Sequence, residues 1–495
     1  MQRSWELATA AERDAVEALS VFAGAYTREL GVAVAQLTPT VLRTLIDKSL
    51  VQRREDERFA SHPLVRQYAA SRLATDAERR TSVRQRHAEA VLSLFEDPDR
   101  AHEHRPLLED AAAAWQHAVE HDDLELISRA RSGIVEATHG AGRYALGLNL
   151  LERARTHLWD GGDATADLRA NLRHGESLLL YRSGRHAAAA EAAEDALEAA
   201  SRAGDRRLMV RSRLALSWAR KWSDGDPVQY ATIREALEDA EALGDASLLG
   251  EVLNGLGCSA PTLEQCSQHL RDGLSVAEGT GDRSHVRLLL NLGIVSWALG
   301  DTPEATQRLD EAIGLAESAG SRPELALALA QRAFVHAQSG ETAEAQQVSE
   351  HAKAAIGALE TSDISIYVRL VDAEIMRLSR DDVGAHRGAR HALEAAYAVG
   401  NVAYTHRALR LDGQLLIDDG EVDEGLRQLA FVLAHTDRRG DFTCEILNPQ
   451  IWDEATDSVS RSSVENARAF AAGLSLDEVV RAAMARAAAG GPRPQ

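Results

Sequence analysis

Residues that could perform chemistry are scattered along this chain of 495 residues, and few have the spacing that a reaction needs. His102-Glu103-His104 has the donor types of a metal site, but two histidines without further ligands are a weak signal, and we favour a solvated segment. The other histidines are dispersed. No nucleophile–base set, metal cluster or carboxylate pair stands out, so the sequence predicts neither a catalytic site nor a bound metal.

The sequence also lacks a motif with the spacing needed to bind nucleotide phosphates. Lys48-Ser49 is the only lysine followed by serine or threonine, and no glycines precede it. A P-loop needs the backbone N–H groups of a glycine-rich loop together with that lysine. We therefore predict that the chain holds no cofactor and does not hydrolyse ATP alone.

Composition limits the compartment and the fold. Cys258, Cys266 and Cys444 lack CxxC spacing, which is typical of small buried side chains in a reducing compartment. The chain opens with no signal-peptide pattern and has no apolar run of about 18 residues, so we expect a cytoplasmic protein without a membrane span. Aromatic residues make up only 4%, which favours closely packed helices built from Ala, Leu and Val.

The elements that position the remaining candidates repeat about every 40 residues. The clearest copy is Asn291–Ala312, which reads as a helix, a Gly-Asp turn and a second helix. Small residues dominate 21 aligned positions, 18 of which are Ala, Gly, Ser or Cys. The three aligned series are Ser177, Ser217, Asn254, Gly293, Ala333, Ala373, Gly413; Ala189, Gln229, Cys266, Ala305, Ala345, Ala385, Gly425; and Ala196, Ala236, Gly273, Ala312, Ala352, Ala392, Val432. This period predicts a solenoid of helical hairpins. The second helices are expected to end at glycines in the left-handed conformation: Gly204, Gly244, Gly281, Gly320, Gly400 and Gly440.

The repeat resembles the tetratricopeptide repeat with lengthened helices. In that family the first helices line a concave face, which implies inward positions six and three residues before the first small residue and one, four and five after it. Across 35 such positions we count seven Lys or Arg and three acids, Glu251, Glu374 and Asp418. The ligand-binding candidates are Tyr181, Arg182, Arg211, Trp218, Lys221, Trp222, Arg287, Trp297, Arg377, Arg407 and Arg410, with Asn171, His174, Phe334 and Tyr367 at further inward positions.

The chemistry of these candidates suits an anionic ligand. A basic and aromatic groove inside a chain of net charge −21 would focus positive potential and offer stacking surfaces to an anionic or aromatic inducer, a peptide or a sugar. The alternative is that the tryptophans pack between helices and that the arginines pair with acids of the second helices.

The N-terminal segment has a different pattern. It predicts helices over 10–22 and 28–36, a third from Thr38, strands near 49–52 and 58–61, and a helix from His62 to Leu73. This is a winged-helix layout. Residues 1–100 hold 15 basic and 15 acidic residues, and the third helix offers only Arg43 and Lys48 as donors. We therefore predict no direct contact with nucleic acid.

Three motifs in this segment carry a second resemblance. Residues 20–27 (SVFAGAYT), 45–51 (LIDKSLV) and 62–69 (HPLVRQYA) look like the winged-helix module of STAND-class signal-transduction ATPases, including regulators similar to the maltose-regulon activator and the actinobacterial antibiotic regulators. The resemblance implies that His62 contacts a nucleotide phosphate, if a P-loop ATPase domain is supplied in cis or in trans. The alternative is that His62 only caps its helix. This chain departs from the family because it lacks that domain.

The sequence thus predicts an all-α protein with one small β-hairpin wing. We expect a winged helix over 1–75, a linker over 76–105 and about eight tetratricopeptide-like repeats over 106–441. Two capping helices over 442–489, with a chain break at Asn448-Pro449, and a disordered tail over 490–495 are expected to follow. The predicted function is the sensing or protein-interaction arm of a STAND-type transcriptional regulator. The alternative is a stand-alone scaffold that binds a peptide or protein partner. Ligand identity, target genes and oligomeric state are left open.

Overall fold

The computed structural model describes residues 5, 8–54, 57–98, 100–158, 165–223, 229–277, 283–357, 362–435, 442–457 and 459–489. Within these ranges it is helical apart from one two-stranded sheet, so the predicted all-α class with a small hairpin is confirmed. The chain forms two compact units. Unit 1 comprises residues 1–139 and 145–175, and unit 2 comprises residues 140–144 and 176–495.

Unit 1 begins with the predicted order of helices and strands. The elements are α1 (Ala10–Leu19), α2 (Arg28–Ala35), α3 (Pro39–Asp47), β1 (Gln52–Arg53), β2 (Phe59–Ala60) and α4 (Pro63–Leu73). The hydroxyls of Thr9, Thr27 and Thr38 cap the first three helices by accepting backbone N–H groups. The hairpin pairs Gln52 with Ala60. Local capping signals therefore fix these boundaries.

The segment predicted as a solvated linker, 76–105, is largely helical, so that prediction is wrong. Helix α5 (Ala77–Leu92) is followed by 3₁₀ turns Ser93–Phe95 and Ala101–Leu107. Val83, His87 and Val91 are buried on one stripe of α5. Their spacing of four residues places them on the same helix face. Polar residues surround this stripe, so the composition of the segment does not reveal its buried face.

The rest of unit 1 is helical and packs tightly. Its helices are α6 (Leu108–Glu120), α7 (Leu124–Gly140), α8 (Tyr144–His157) and the first part of α9 (Ala166–Arg182). The Trp115 indole is buried and donates to the Leu150 carbonyl at 2.9 Å. A Cβ added to Gly133 would lie 2.0 Å from the Phe95 carbonyl oxygen, so α7 crosses this backbone where only glycine fits.

Unit 2 continues as antiparallel helix pairs. After α9 come α10 (His186–Ala203), α11 (Arg206–Ser223), α12 (Gln229–Leu243), α13 (Ala246–Ser259), α14 (Leu263–Ala277), α15 (Arg283–Ala298), α16 (Thr302–Ser318), α17 (Arg322–Gln338), α18 (Thr342–Ile356), α19 (Asp363–Leu378), α20 (Asp382–Ala398), α21 (Val402–Asp418) and α22 (Val422–His435). The predicted small residues lie where the two helices of a pair cross. The Ser177 hydroxyl donates to the Ala189 carbonyl at 2.9 Å, and a Cβ on Gly425 would lie 2.6 Å from the Gly413 carbonyl oxygen.

Left-handed glycines end the second helices, as predicted. Gly204, Gly244, Gly320 and Gly400 have φ of 73°, 64°, 57° and 73°. A side chain is disfavoured in this region of backbone space, so glycine ends the helix at least cost. Gly281 and Gly440, predicted to act in the same way, lie outside the described residues.

Three helices close the C-terminal end of unit 2, where two were expected. They are α23 (Phe442–Thr456), α24 (Arg461–Ala471) and α25 (Leu476–Ala489). The predicted break at Asn448-Pro449 is wrong because α23 runs through Pro449. Leu447, Asn448 and Trp452 are buried, so tertiary packing offsets the hydrogen bond that proline removes. The tail 490–495 lies outside the described residues.

Unit 2 also contacts itself over a long sequence separation. The His186 ring nitrogen Nε2 lies 3.1 Å from Asp363 Oδ2, and Asn401 donates to Asp363 Oδ1 at 2.8 Å. A Cβ on Gly184 would lie 3.2 Å from both Asp363 and Val399. We name these residues the closing contact. It joins the α9–α10 turn to the starts of α19 and α21.

The helix crossings lead to a stability prediction. Gly425→Ala places a methyl group against the Gly413 backbone and should destabilise unit 2 by about 1–3 kcal/mol. Gly314→Ala is the matched control, because a Cβ at Gly314 meets open space in helix α16. This control should gain up to about 1 kcal/mol from helix propensity. Denaturant titration of the full chain, followed by circular dichroism, measures both. Equal stability of the two variants would contradict the crossing geometry.

Candidate functional site

Four predicted inward residues from consecutive repeats meet in one aromatic column. The Trp297 and Phe334 rings lie edge to face with centroids 4.9 Å apart. The Arg407 guanidinium carbon lies 5.3 Å from the Phe334 centroid and 4.8 Å from the Tyr367 centroid. These residues belong to α15, α17, α19 and α21, so the structure brings together four positions that the register assigned to one face. Cation–π attraction stabilises the column.

A buried carboxylate holds the cationic end of this column. Glu374 Oε2 accepts from Arg407 Nη2 at 2.8 Å, and Glu374 Oε1 accepts from both Arg407 Nε and Arg410 Nη2. Arg410 also donates to the Asn448 side chain at 3.4 Å. Burial on its own raises the pKa of Glu374, but the two guanidiniums outweigh burial and lower it below the ordinary value of 4.5.

The other inward acids also face predicted arginines. Arg377 Nε donates to Asp418 Oδ2 at 2.7 Å. Burial lowers the pKa of Arg182, and electrostatic attraction to Glu324, Tyr144 and Glu251 raises it in part. The expectation that arginines would pair with acids of the second helices is therefore wrong for Arg377, Arg407 and Arg410. Their partners lie on first helices of other repeats.

The remaining candidates are spread along the first helices. Trp218 is half-buried and packs against the apolar cluster that includes Val210 and Leu253. The Tyr181 ring lies 5.5 Å from the His186 ring. Arg211 and Arg287 are half-buried on α11 and α15. The side chains of Lys221 and Trp222 lie outside the described residues, and Asn171 and His174 belong to unit 1.

Sequence reasoning missed Tyr144 and Glu324. Glu324 is buried on the first helix α17 and lies nine residues before Ala333, one helical turn beyond the offsets that we counted. Extending the inward register by one turn would have found it. Tyr144 opens α8 outside the aligned series, so no sequence signal pointed to it.

His62 caps its helix and remains exposed. Its Nδ1 accepts the Leu64 backbone N–H at 3.3 Å, so a neutral His62 carries its proton on Nε2. The neighbouring Leu64 side chain is 60% exposed. Capping and presentation of an N–H donor are therefore compatible, and the predicted phosphate contact stays a prediction.

Helix α3 presents few positively charged side chains that could contact nucleic acid. The Lys48 ammonium lies 2.6 Å from Glu12 and, by hydrogen bonding, lowers the pKa of Glu12 to about 2. This pairing removes one of the two donors that sequence analysis found on the helix. Among the described residues no group of three His, Cys, Asp or Glu side chains is arranged to hold a metal ion. No helix in the described ranges is long and apolar enough to cross a membrane.

Comparisons with known proteins locate the fold. A signal-transduction ATPase with numerous domains (STAND) protein with a tetratricopeptide repeat sensor, from Pyrococcus horikoshii, is similar at a TM-score of 0.51 and 15% identity. The match covers 93% of this chain and 66% of that chain, so this chain spans less than two thirds of the relative. The fold is therefore a tetratricopeptide-like helical solenoid, as predicted.

Two further solved structures are less similar. A Rap protein complexed with competence and sporulation factor has a TM-score of 0.44 and 13% identity, covering 65% of this chain and 98% of that chain. The quorum sensor NprR from B. thuringiensis has a TM-score of 0.42 and 14% identity, covering 67% and 92%. No protein-family model and no curated protein matches the sequence.

The buried carboxylate leads to a second prediction. Glu374→Gln leaves two buried guanidiniums without their counter-charge and should destabilise unit 2 by about 3–5 kcal/mol. Asp418→Asn is the matched control, because the Arg377–Asp418 pair is partly exposed and should cost less than about 1 kcal/mol. Denaturant titration at neutral pH measures both.

The effect of Glu374→Gln on stability should depend on pH. The folded-state pKa of Glu374 is depressed, so its contribution is present above pH 4.5 and is lost as the pH falls through the lower folded-state value. The stability difference between the wild type and Glu374→Gln should therefore shrink in acid. A difference that stays constant below pH 4.5 would contradict the lowered pKa.

Proposed function

We propose that unit 2 is the sensing and partner-binding arm of a STAND-type transcriptional regulator. The observation that carries this proposal is the convergence of cationic and aromatic side chains from successive first helices, as in the Trp297, Phe334, Arg407 and Tyr367 column. The fold likeness to a STAND protein with a tetratricopeptide repeat sensor supports the assignment. The alternative is a stand-alone scaffold that binds a peptide or protein.

The inner wall divides into a paired end and a more open end. Arg377, Arg407 and Arg410 are engaged by Asp418 and Glu374. Arg211, in contrast, takes part in no ion pair among the described residues, and it lies on the same helix as the half-buried Trp218. We therefore assign the main ligand contacts to α11. An anionic group would meet Arg211, and an aromatic or apolar group would meet Trp218.

Coupling to the rest of a regulator would run through unit 1. The predicted winged helix, residues 1–75, is proposed to pack on a nucleotide-binding domain supplied in cis or in trans. His62 would donate Nε2–H to a nucleotide phosphate at the start of α4, where helix N–H groups add positive potential. A signal can shift the nucleotide-bound state only if it binds the open and resting states with different affinity.

The experiment is native mass spectrometry of the gently purified full chain. The wild type should retain a ligand adduct from the cell, and Arg211→Gln/Trp218→Leu should reduce its occupancy by at least about tenfold, through loss of a charge-assisted contact and a stacking surface. Leucine keeps the apolar packing of Trp218.

The matched control removes the same charge from the outer layer. Arg234 is exposed on the second helix α12, and Arg234→Gln should leave the adduct unchanged. An adduct that survives Arg211→Gln/Trp218→Leu would place the ligand elsewhere. Protein partners that remain bound without any small adduct would favour the scaffold alternative.

A further inference from the structure

Unit 1 contains a cleft that no part of the proposed function uses. Its volume is about 340 Å³, and its walls come from the end of α1 and from α4, α5 and α6. A cleft of this size falls in the range that holds small organic molecules. It lies wholly among residues 20–120, so it is separate from the inner wall of unit 2.

Two guanidiniums line the cleft without a carboxylate partner. Arg80 and Arg84 lie one turn apart on α5 and therefore on one helix face. Neither forms an ion pair or a hydrogen bond within the described part of the chain. The adjacent Arg79 shows the contrast, because it pairs with Asp14 at 3.1 Å and also with Glu17 of α1. One acid, Glu120, also lines the cleft.

Buried polar groups fix the back of the cleft. His87 Nε2 lies 3.2 Å from Asp110 Oδ1, and the same oxygen accepts the Ala23 backbone N–H at 2.7 Å. His117 Nε2 lies 3.2 Å from Gln85 Oε1. Both histidines are buried, and the Nε2 atom of each already has one of these partners. These contacts fix the two rings, and the Arg80 and Arg84 guanidiniums supply donors that no residue in the described ranges uses.

Part of the cleft lining is apolar. Val21 follows α1, and Leu73 and Ala70 come from α4. Leu73 is buried at 3% exposure, so the apolar surface continues into the core of unit 1. An apolar wall beside two guanidiniums matches a molecule with one anionic group and one apolar body. Guanidinium groups bind carboxylates and phosphates by paired N–H donors.

We propose that this cleft binds a small organic anion. Its carboxylate or phosphate accepts from Arg80 and Arg84, and its apolar body packs on Val21 and Leu73. The site lies next to the α1–α2 turn. In this turn the Ala23 backbone N–H donates to Asp110, and the Phe22 carbonyl accepts from Arg66. Occupation of the cleft therefore ties α4 and α5 to this turn.

The test uses phenyl phosphate and phenylacetate as separate probes on the full chain. Isothermal titration should show one saturable site for at least one of them, and the preferred probe identifies the anionic group. Arg80→Gln/Arg84→Gln should weaken binding by at least about tenfold, because charge-assisted hydrogen bonds are lost. Ala113→Phe should weaken it comparably, because Ala113 is exposed and lines the cleft.

A matched control removes two arginines elsewhere in unit 1. Arg72 and Arg153 are exposed and do not line the cleft, so Arg72→Gln/Arg153→Gln should bind like the wild type. Circular dichroism confirms that each variant is folded. Absence of saturable binding by both probes overturns the proposal. Binding that survives Ala113→Phe, or that the control variant weakens equally, also overturns it, because it reports general attraction to surface charge.

Discussion

Close backbone crossing within each helix pair is the constraint on which the rest of unit 2 depends. The Ser177 hydroxyl bonds to the Ala189 carbonyl across one crossing, and at another Gly413 and Gly425 approach so closely that a Cβ on Gly425 would lie 2.6 Å from the Gly413 oxygen. A crossing fixed at this point also fixes the rotation of each first helix about its axis. The inward positions follow from that rotation, which is why residues in four consecutive repeats can form one continuous column.

Charge inside the solenoid is balanced locally. Two of the three inward acids, Glu374 and Asp418, form ion pairs with arginines of the inner layer, and Glu374 pairs with two of them. A buried charge without a partner costs several kcal/mol, roughly, so these pairs are a condition of packing arginines on an inner wall. The cleft of unit 1 follows the opposite rule, since Arg80 and Arg84 line it without carboxylate partners.

Sequence periodicity predicted the fold well because the signal repeats. The order of elements over 10–73, the crossing residues and the glycine helix ends all follow from local rules of capping and close approach. Pairing was not predictable, because Arg407 and Glu374 are 33 residues apart and only the superhelical rise brings them together. Helix α5 was missed because its buried stripe is narrow within a polar segment. Pro449 was misread because the tertiary contacts of Asn448 and Trp452 override a local helix breaker.

The closing contact gives unit 2 an asymmetric mechanical response. Gly184 and His186 meet Asp363 and Val399, so repeats that are far apart in the sequence already touch. Repeats that already touch cannot move closer together, but they can still move apart. Any movement that separates these repeats must first separate His186 from Asp363. Movements that bring the repeats closer together meet van der Waals repulsion.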